Sequence, residues 1–330
     1  MKKGIRWGIL GPGKIAVTFA EAVDLVGEDE IVAVASHDEK KAAAFAAGHQ
    51  IAHGCGSYEE LVSRDDIDAV YVSNLHMMHR DAAIMAMKHG KAVVCEKPMT
   101  LNAGYAREMA EAAEENNVFL MEAMWSRFLP ATAKALELAG EGRIGDVRVI
   151  RGAFSYGSSF DPHSRIYDPA LAGGGLLDVG VYAISCAASF LGFAPVQILG
   201  AADIGHSGVD EQAAMILTYE GGQMAVLNSG VNVSMPGWME IYGREGYLEI
   251  PNFWDAQEVR LHRNGKDEVE TFSFPHRNGF VYEVEHASRC IRDGLMESPI
   301  WPLSSTIAVA EIMDSLRRSW GLRYPGEEWL

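Results

Sequence analysis

Ile5-Arg6-Trp7-Gly8-Ile9-Leu10-Gly11-Pro12-Gly13-Lys14-Ile15-Ala16 passes from a short apolar run through a glycine turn into helical spacing. Ile5 to Leu10 has the pattern of a buried parallel strand. From Ile15 to Val26 the spacing is helical, with Phe19, Val23 and Val26 on one side. In such a turn Gly11 permits the tight bend, Gly13 lets backbone approach a pyrophosphate, and Ala16 permits close helix–sheet packing. The helix start adds free amides and a positive dipole end. Gly11, Gly13, Lys14 and Ile15 are therefore phosphate-side candidates. Alone the turn is a weak signal, since glycine turns join strands to helices in many folds.

Working outward, the same rhythm repeats. Ile31–Ala35, Ala69–Val72, Ala92–Cys95 and Phe119–Glu122 read as further buried strands. Helical stretches separate them: Glu39–Gly48, Arg80–His89 stopped by Gly90, and Tyr105–Asn116. Strand–helix alternation of this kind predicts a doubly wound parallel sheet, an α/β Rossmann domain over 1–123. After Trp125 the rhythm changes. Val147–Tyr156, Gln197–Ile204, Gln212–Tyr219, Met224–Val233, Trp238–Gly243, Tyr247–Ile250 and Glu258–Arg263 alternate or run apolar. Turn signals such as Glu220-Gly221-Gly222 and Arg263-Asn264-Gly265-Lys266 lie between them. With helices over Leu177–Phe190, Phe280–Asp293 and Ser304–Trp320, residues 124–330 read as an α+β domain with a large open antiparallel sheet.

Composition narrows the function classes. A chain of 330 residues fits two domains. A net charge of −17 argues against nucleic acid and against an anionic membrane surface as partners. It does not exclude an anionic cofactor held by local amides and lysines. The four cysteines, Cys55, Cys95, Cys186 and Cys290, form no Cys-x-x-Cys pair and suit a reduced, cytoplasmic protein. Neither a signal peptide nor a membrane span is evident.

Coenzyme choice is read after the second strand, where Ser36-His37-Asp38 stands with Lys40 and Lys41 beyond. An NAD site ordinarily places an acidic group at that strand end for the ribose 2′-hydroxyl. Ser36, His37 and Lys41 instead suit a 2′-phosphate, so NADP is favoured with NAD possible; Asp38 points the other way. Asn74, His76 and His79, past the third strand, are further cofactor-side candidates. The two histidines lack a third ligand nearby, so no metal is expected.

Glu96-Lys97-Pro98 ends a later strand, where a dinucleotide's reactive ring would meet its substrate. Lys97 there is a catalytic cation or a surface charge. Far along the chain, Gly173-Gly174-Gly175 precedes Asp178 and Tyr182, four apart and so on one helical face. They are a cap and a buried tyrosine, or an acid and a proton carrier. Hydride chemistry on an alcohol needs a base, and a phenol with a pKa of about 10 is a poor one. Bringing it near neutrality takes about 3 to 4 kcal/mol of phenolate stabilisation, which a neighbouring ammonium can supply. Lys97, Tyr182 and Asp178 are the catalytic candidates, Asp178 orienting the substrate hydroxyl or Lys97.

With these motifs in hand, the chain resembles the glucose-fructose oxidoreductase/inositol dehydrogenase (Gfo/Idh/MocA) family. Gly11-x-Gly13-x-x-Ala16, Cys95-Glu96-Lys97-Pro98 and Gly174-Gly175-x-x-Asp178-x-Gly180 carry the match. Tyr182, where many relatives have histidine, is similar to the dimeric dihydrodiol dehydrogenase and glucose-fructose oxidoreductase branch. So are Met121 to Phe128, Asn252-Phe253-Trp254 and Gly279-Phe280-x-Tyr282-Glu283-x-x-His286. The resemblance implies NADP(H), Lys97 and Tyr182 as the catalytic pair, and Glu96 beside the cofactor. It further implies a small-molecule substrate site with Trp125, Arg127, Phe154, Trp254 and Phe280, and a homodimer through the broad sheet. The expected reaction is hydride transfer at a secondary alcohol or carbonyl of a sugar, polyol or cyclic trans-diol. A glycosidase with tightly held NAD and a redox-inactive nucleotide-binding regulator are the alternatives.

Overall fold

The computed structural model describes residues 4–327, which fall into two compact units. The first contains residues up to 125 and 278–307; the second contains 126–277 and 308 onward.

In the first unit the elements are β1 (Arg6–Leu10), α1 (Lys14–Val26), β2 (Glu30–Ala35), α2 (Glu39–Gly48), β3 (His53–Cys55) and α3 (Tyr58–Val62). β4 (Ala69–Val72), α4 (His79–Lys88), β5 (Ala92–Glu96), α5 (Ala103–Asn116) and β6 (Leu120–Ala123) follow. The strands form one parallel sheet in the order β3-β2-β1-β4-β5-β6. Connections leave β1 in opposite directions, so the order reverses between β1 and β4. Crevices for nucleotides open at such a point, beyond the carboxyl ends of the strands. β4, β5 and β6 are buried at every residue, as strands covered on both faces must be. The doubly wound fold is as expected, with one strand more than the apolar runs suggest. β3 is three residues long and carries exposed His53, too short and polar to show a pattern.

The second unit begins with α6 (Pro130–Gly140), β7 (Val147–Ser155) and α7 (Val181–Leu191). It continues with β8 (Gln197–Ile204), β9 (Asp210–Thr218), β10 (Met224–Gly230), β11 (Met235–Gly243), β12 (Gly246–Pro251), β13 (Glu258–Arg263) and β14 (Val269–Ser273). The eight strands lie in the order β14-β13-β12-β11-β7-β10-β9-β8. All neighbours are antiparallel except β7 and β10. Strict alternation in β9 puts Ala213, Met215 and Leu217 into the core and Ile216 outside. The stretch Pro169–Leu191 has the length and hydropathy of a membrane span, but most of it is buried inside the molecule.

One boundary differs from a single cut at 123/124. Residues 278–307, containing α8 (Phe280–Arg292) and the start of α9 (Leu303–Trp320), pack with the first sheet. Hydrogen bonds explain this. Asn278 Nδ2 donates to the Thr18 carbonyl at 2.8 Å, and Ser288 Oγ to Asp29. Trp301 Nε1 and Thr306 Oγ1 both donate to Glu122, at 2.9 and 2.8 Å. A helix so remote in sequence reveals its partner only through these contacts.

Candidate active site

In the first unit the glycine turn is built as its residues require. Gly11 has φ +103°, and a Cβ there would lie 2.9 Å from the Asn74 backbone. Its N–H donates to the Ala35 carbonyl at 3.0 Å, tying the turn to β2. Gly13 caps α1 without any side-chain hydrogen bond. The nearest atom to a Cβ there is the Ser73 carbonyl oxygen, 3.8 Å away. Exposed Lys14 and half-buried Ile15 follow. A turn open at Gly13 beside an uncapped helix start of 13 residues fits a dinucleotide's phosphates.

At the end of β2, Asp38 caps α2, accepting from the Lys40 and Lys41 amides at 3.0 and 3.4 Å. Its own N–H donates to Ser36 Oγ at 3.1 Å. The one acidic group beside Ser36 therefore serves the helix start. The exposed His37 ring lies 4.5 Å from that of Tyr58, and Lys41 is exposed.

Half-buried Asn74 meets Gly11 through its backbone. His76 is half-buried, its ring 5.6 Å from that of His79. His79 itself is fully buried, with Nδ1 3.0 Å from the Pro98 carbonyl and Nε2 3.2 Å from the Asn74 carbonyl. Burial holds its pKa down to about 4. A neutral ring has one N–H, so only one of these two carbonyls receives a hydrogen bond from it. Fully buried, His79 joins the two loops that carry Asn74 and Lys97.

Half-buried Lys97 follows β5, and its N–H donates to Glu96 Oε2 at 3.1 Å. The other Glu96 oxygen accepts from the Tyr71 hydroxyl. Burial pushes the Glu96 carboxyl up, and the Tyr71 bond and the Lys97 charge draw it back. Glu122 on β6 is also buried and pushed up. It accepts from the Met99 amide at 2.9 Å as well as from Trp301 and Thr306, and Lys97 acts on it favourably. Glu283 on α8 is 1% exposed, and among the described residues neither of its oxygens has a hydrogen-bond partner. Burial, and then repulsion from Glu96, push its carboxyl well above the ordinary carboxylate value. Glu122 and Glu283 were not singled out as polar site residues from the sequence. Glu283 lies in the Gly279–His286 motif, but nothing local marks it as buried. Trp125 and Phe280 also meet in this unit, with ring centroids 4.9 Å apart.

The second unit collects Phe154, Tyr182 and Trp254. Phe154 and Trp254 stack at 3.8 Å and 10°, and the Tyr182 ring is 5.7 Å from Phe154. Gly237 leaves room for this stack, since any Cβ there would overlap the Trp254 ring. Half-buried Arg127 lies near Cys186, one turn beyond Tyr182 on α7; burial lowers its pKa and the Cys186 sulfur opposes the shift.

Asp178 and Tyr182 do not share a uniform α-helix. Leu176–Gly180 is a π-turn, and α7 starts at Val181. π-Turns of this kind recur at functional sites. The Asp178 carboxylate is engaged on both sides, by the Tyr156 hydroxyl and by Arg165 Nη1 at 3.0 Å. Burial, and then the Asp178 charge, push the Tyr156 phenol up, so it stays protonated and donates.

The open glycine turn on a parallel sheet fits a dinucleotide-binding domain, and the relatives described next make the chain an NAD(P)-dependent dehydrogenase acting on alcohol groups. Residues 5–124 match the model of an oxidoreductase family with an NAD-binding Rossmann fold, and residues 132–249 match the GFO/IDH/MocA C-terminal domain. The chain belongs to the GFO/IDH/MocA oxidoreductase family, as its motifs suggested. Trans-1,2-dihydrobenzene-1,2-diol dehydrogenases of Xenopus laevis and Homo sapiens are 38% and 32% identical to it. These alignments cover 97% and 98% of this chain and 99% of each relative. Among solved structures, KijD10, a 3-ketoreductase from Actinomadura kijaniata in complex with NADP and TDP-benzene, superposes with a TM-score of 0.84 at 26% identity. The match covers 96% of this chain and 97% of that one. The aldose-aldose oxidoreductase from Caulobacter crescentus shares the fold, with a TM-score of 0.88 at 24% identity over 96% of this chain and 97% of its own.

Proposed function

We propose that the protein is an NADP-dependent dehydrogenase that oxidises a secondary alcohol of a sugar, polyol or cyclic trans-diol, or reduces the corresponding carbonyl. The observation that carries this reading is Tyr182 beside the stacked Phe154 and Trp254. A phenol next to an apolar platform suits a ring-shaped alcohol whose hydroxyl proton must be removed. In oxidation the alcohol O–H proton passes to the Tyr182 oxygen as the carbon–oxygen double bond forms; in reduction Tyr182 returns it. The Lys97 ammonium favours the phenolate. When bound, the coenzyme would supply the hydride chemistry, oxidised NADP as the acceptor in oxidation and reduced NADP as the donor in reduction. Asp178, held by Tyr156 and Arg165, has an orienting role, and Trp125, Arg127 and Phe280 belong to the substrate side.

Gly11, Gly13, Lys14 and Ile15 hold the phosphates in this reading, with Asn74, His76 and Glu96 nearer the nicotinamide. Ser36, His37 and Lys41 take the 2′-phosphate. That preference gains from Asp38, whose carboxylate is committed to the α2 cap. The NADP bound by KijD10 agrees with it, and that relative has been solved with single replacements of a lysine and of a tyrosine, the residue types invoked here.

A homodimer in the cytoplasm completes the reading. Leu199, Ile216 and Val226 are exposed and lie side by side across β8, β9 and β10, an apolar row for a second copy. Sedimentation of the wild type and of Ile216→Lys tests it, and a monomeric wild type refutes it. The central test is absorbance at 340 nm with NADP and then NAD, across aldoses, polyols and trans-diols. Reduced NADP is the expected product; no reduction of either coenzyme with any class would overturn the assignment.

A further inference from the structure

We propose that Asp210 is a positioning residue for Tyr182, clamping the start of the helical segment that presents both Asp178 and Tyr182. The inference rests on the catalytic reading of Tyr182 given above.

Asp210 opens β9 and is fully buried. Its Oδ2 accepts from the Leu176 N–H at 2.6 Å, the first residue of the π-turn. The turn carries no side-chain cap of its own. Leu176 lies two residues before Asp178 and six before Tyr182, so this bond sets where that segment leaves the sheet. Oδ1 sits against Gly174, where φ is +116° and any Cβ would overlap it. Gly175 packs almost as closely, its Cβ position 3.3 Å from the Gly230 Cα on β10. On the other side, the buried Tyr324 hydroxyl donates to the Gly173 carbonyl at 2.7 Å. Gly174 and Gly175 therefore let backbone settle on the buried Asp210 side chain and on β10, while a Cβ at Gly173 would lie 2.5 Å from the Ile166 carbonyl oxygen. Asp210 makes no contact with reacting atoms in this role. It acts through the turn, and displacing a proton carrier by about 1 Å can cost about 100-fold in rate.

The test is a double-mutant cycle between Asp210→Ala and Tyr182→Phe, with circular dichroism, thermal melts and NADP affinity measured for each variant. Asp210→Ala is expected to lower kcat by about 10- to 100-fold, with NADP affinity within about twofold of wild type. In the Tyr182→Phe background the same change should cost less than about threefold, because the group being positioned is already gone. Asp210→Asn keeps an acceptor for Leu176 and should recover most of the loss. Gly174→Ala, which disturbs the turn from its other side, should reproduce it and carries the cycle if Asp210→Ala does not fold. Equal losses in both backgrounds would make Asp210 a general structural residue and overturn the proposal. So would kcat within twofold of wild type in folded Asp210→Ala and Gly174→Ala, provided Tyr182→Phe is impaired. Wild-type turnover in Tyr182→Phe itself would remove the catalytic reading and this inference with it.

Discussion

Lys97 and Tyr182 rest on different kinds of support. Lys97 is held locally: it follows β5 directly, its N–H reaches the neighbouring Glu96, and Glu122 stands on the adjacent strand β6. Tyr182 is held at long range: the turn before it is bonded to Asp210, 34 residues beyond Leu176, and packed on Gly230. The carboxyls also differ. Glu122 collects three donors, whereas among the described residues Asp210 Oδ1 has no hydrogen-bond partner. A charged group at a parallel strand end comes with its sheet, but one at a helix start beyond a long loop must be placed by the rest of its domain.

The sharpest way to break this comparison is to remove the two groups themselves. Lys97→Met and Tyr182→Phe should each lose at least about 100-fold in kcat while NADP binding, followed by quenching of protein fluorescence, persists. Near wild-type rates in either would end their pairing. Next in size, Glu122→Ala strips a common acceptor from Met99, Trp301 and Thr306. Urea unfolding should show a loss of about 3 kcal/mol or more; a change under 1 kcal/mol would mean the network is slack.

A smaller effect concerns pH. His79 titrates at about 4 when folded and near its ordinary 6.5 when unfolded. Between these values the unfolded chain holds more protons, so stability rises with pH. The contribution of neutral His79 is complete above pH 6.5 and is lost as pH falls through 4, up to about 3 kcal/mol in all. The stability difference between wild type and His79→Gln should shrink over that window, and a constant difference would show that His79 is protonated when folded. Smallest is the α2 cap: Asp38→Ala should cost about 1 kcal/mol in thermal unfolding and leave NADP preferred over NAD. A switch to NAD would show that Asp38 acts on the coenzyme and not on the helix.

Much of the first unit is legible in the chain because its cues are local. Gly11 and Gly13 mark the turn, and β1, β4 and β5 are apolar runs of the expected length. The β9–β10 and β13–β14 hairpins are announced by their turn residues. Short or polar pieces give no such cue: β3, α3, α6 and β14 lack a readable period. Three glycines ahead of Asp178 signal close backbone approach, yet nothing nearby in sequence says that Asp210 is what Gly174 and Gly175 approach. Nor does the spacing of Asp178 and Tyr182 disclose a π-turn.

From the amino-acid order alone follow the doubly wound sheet, the antiparallel second sheet, the nucleotide turn and the residue types able to move a proton. Those depend on periodicity and on conformational limits that each residue carries with it. Tertiary structure decided the rest: that 278–307 packs on the first sheet, that His79 is fully buried, and that Asp210 holds the turn before Tyr182. Each is a matter of which buried donor meets which acceptor, and partners dozens or hundreds of residues apart become specific only when the chain folds and water is excluded.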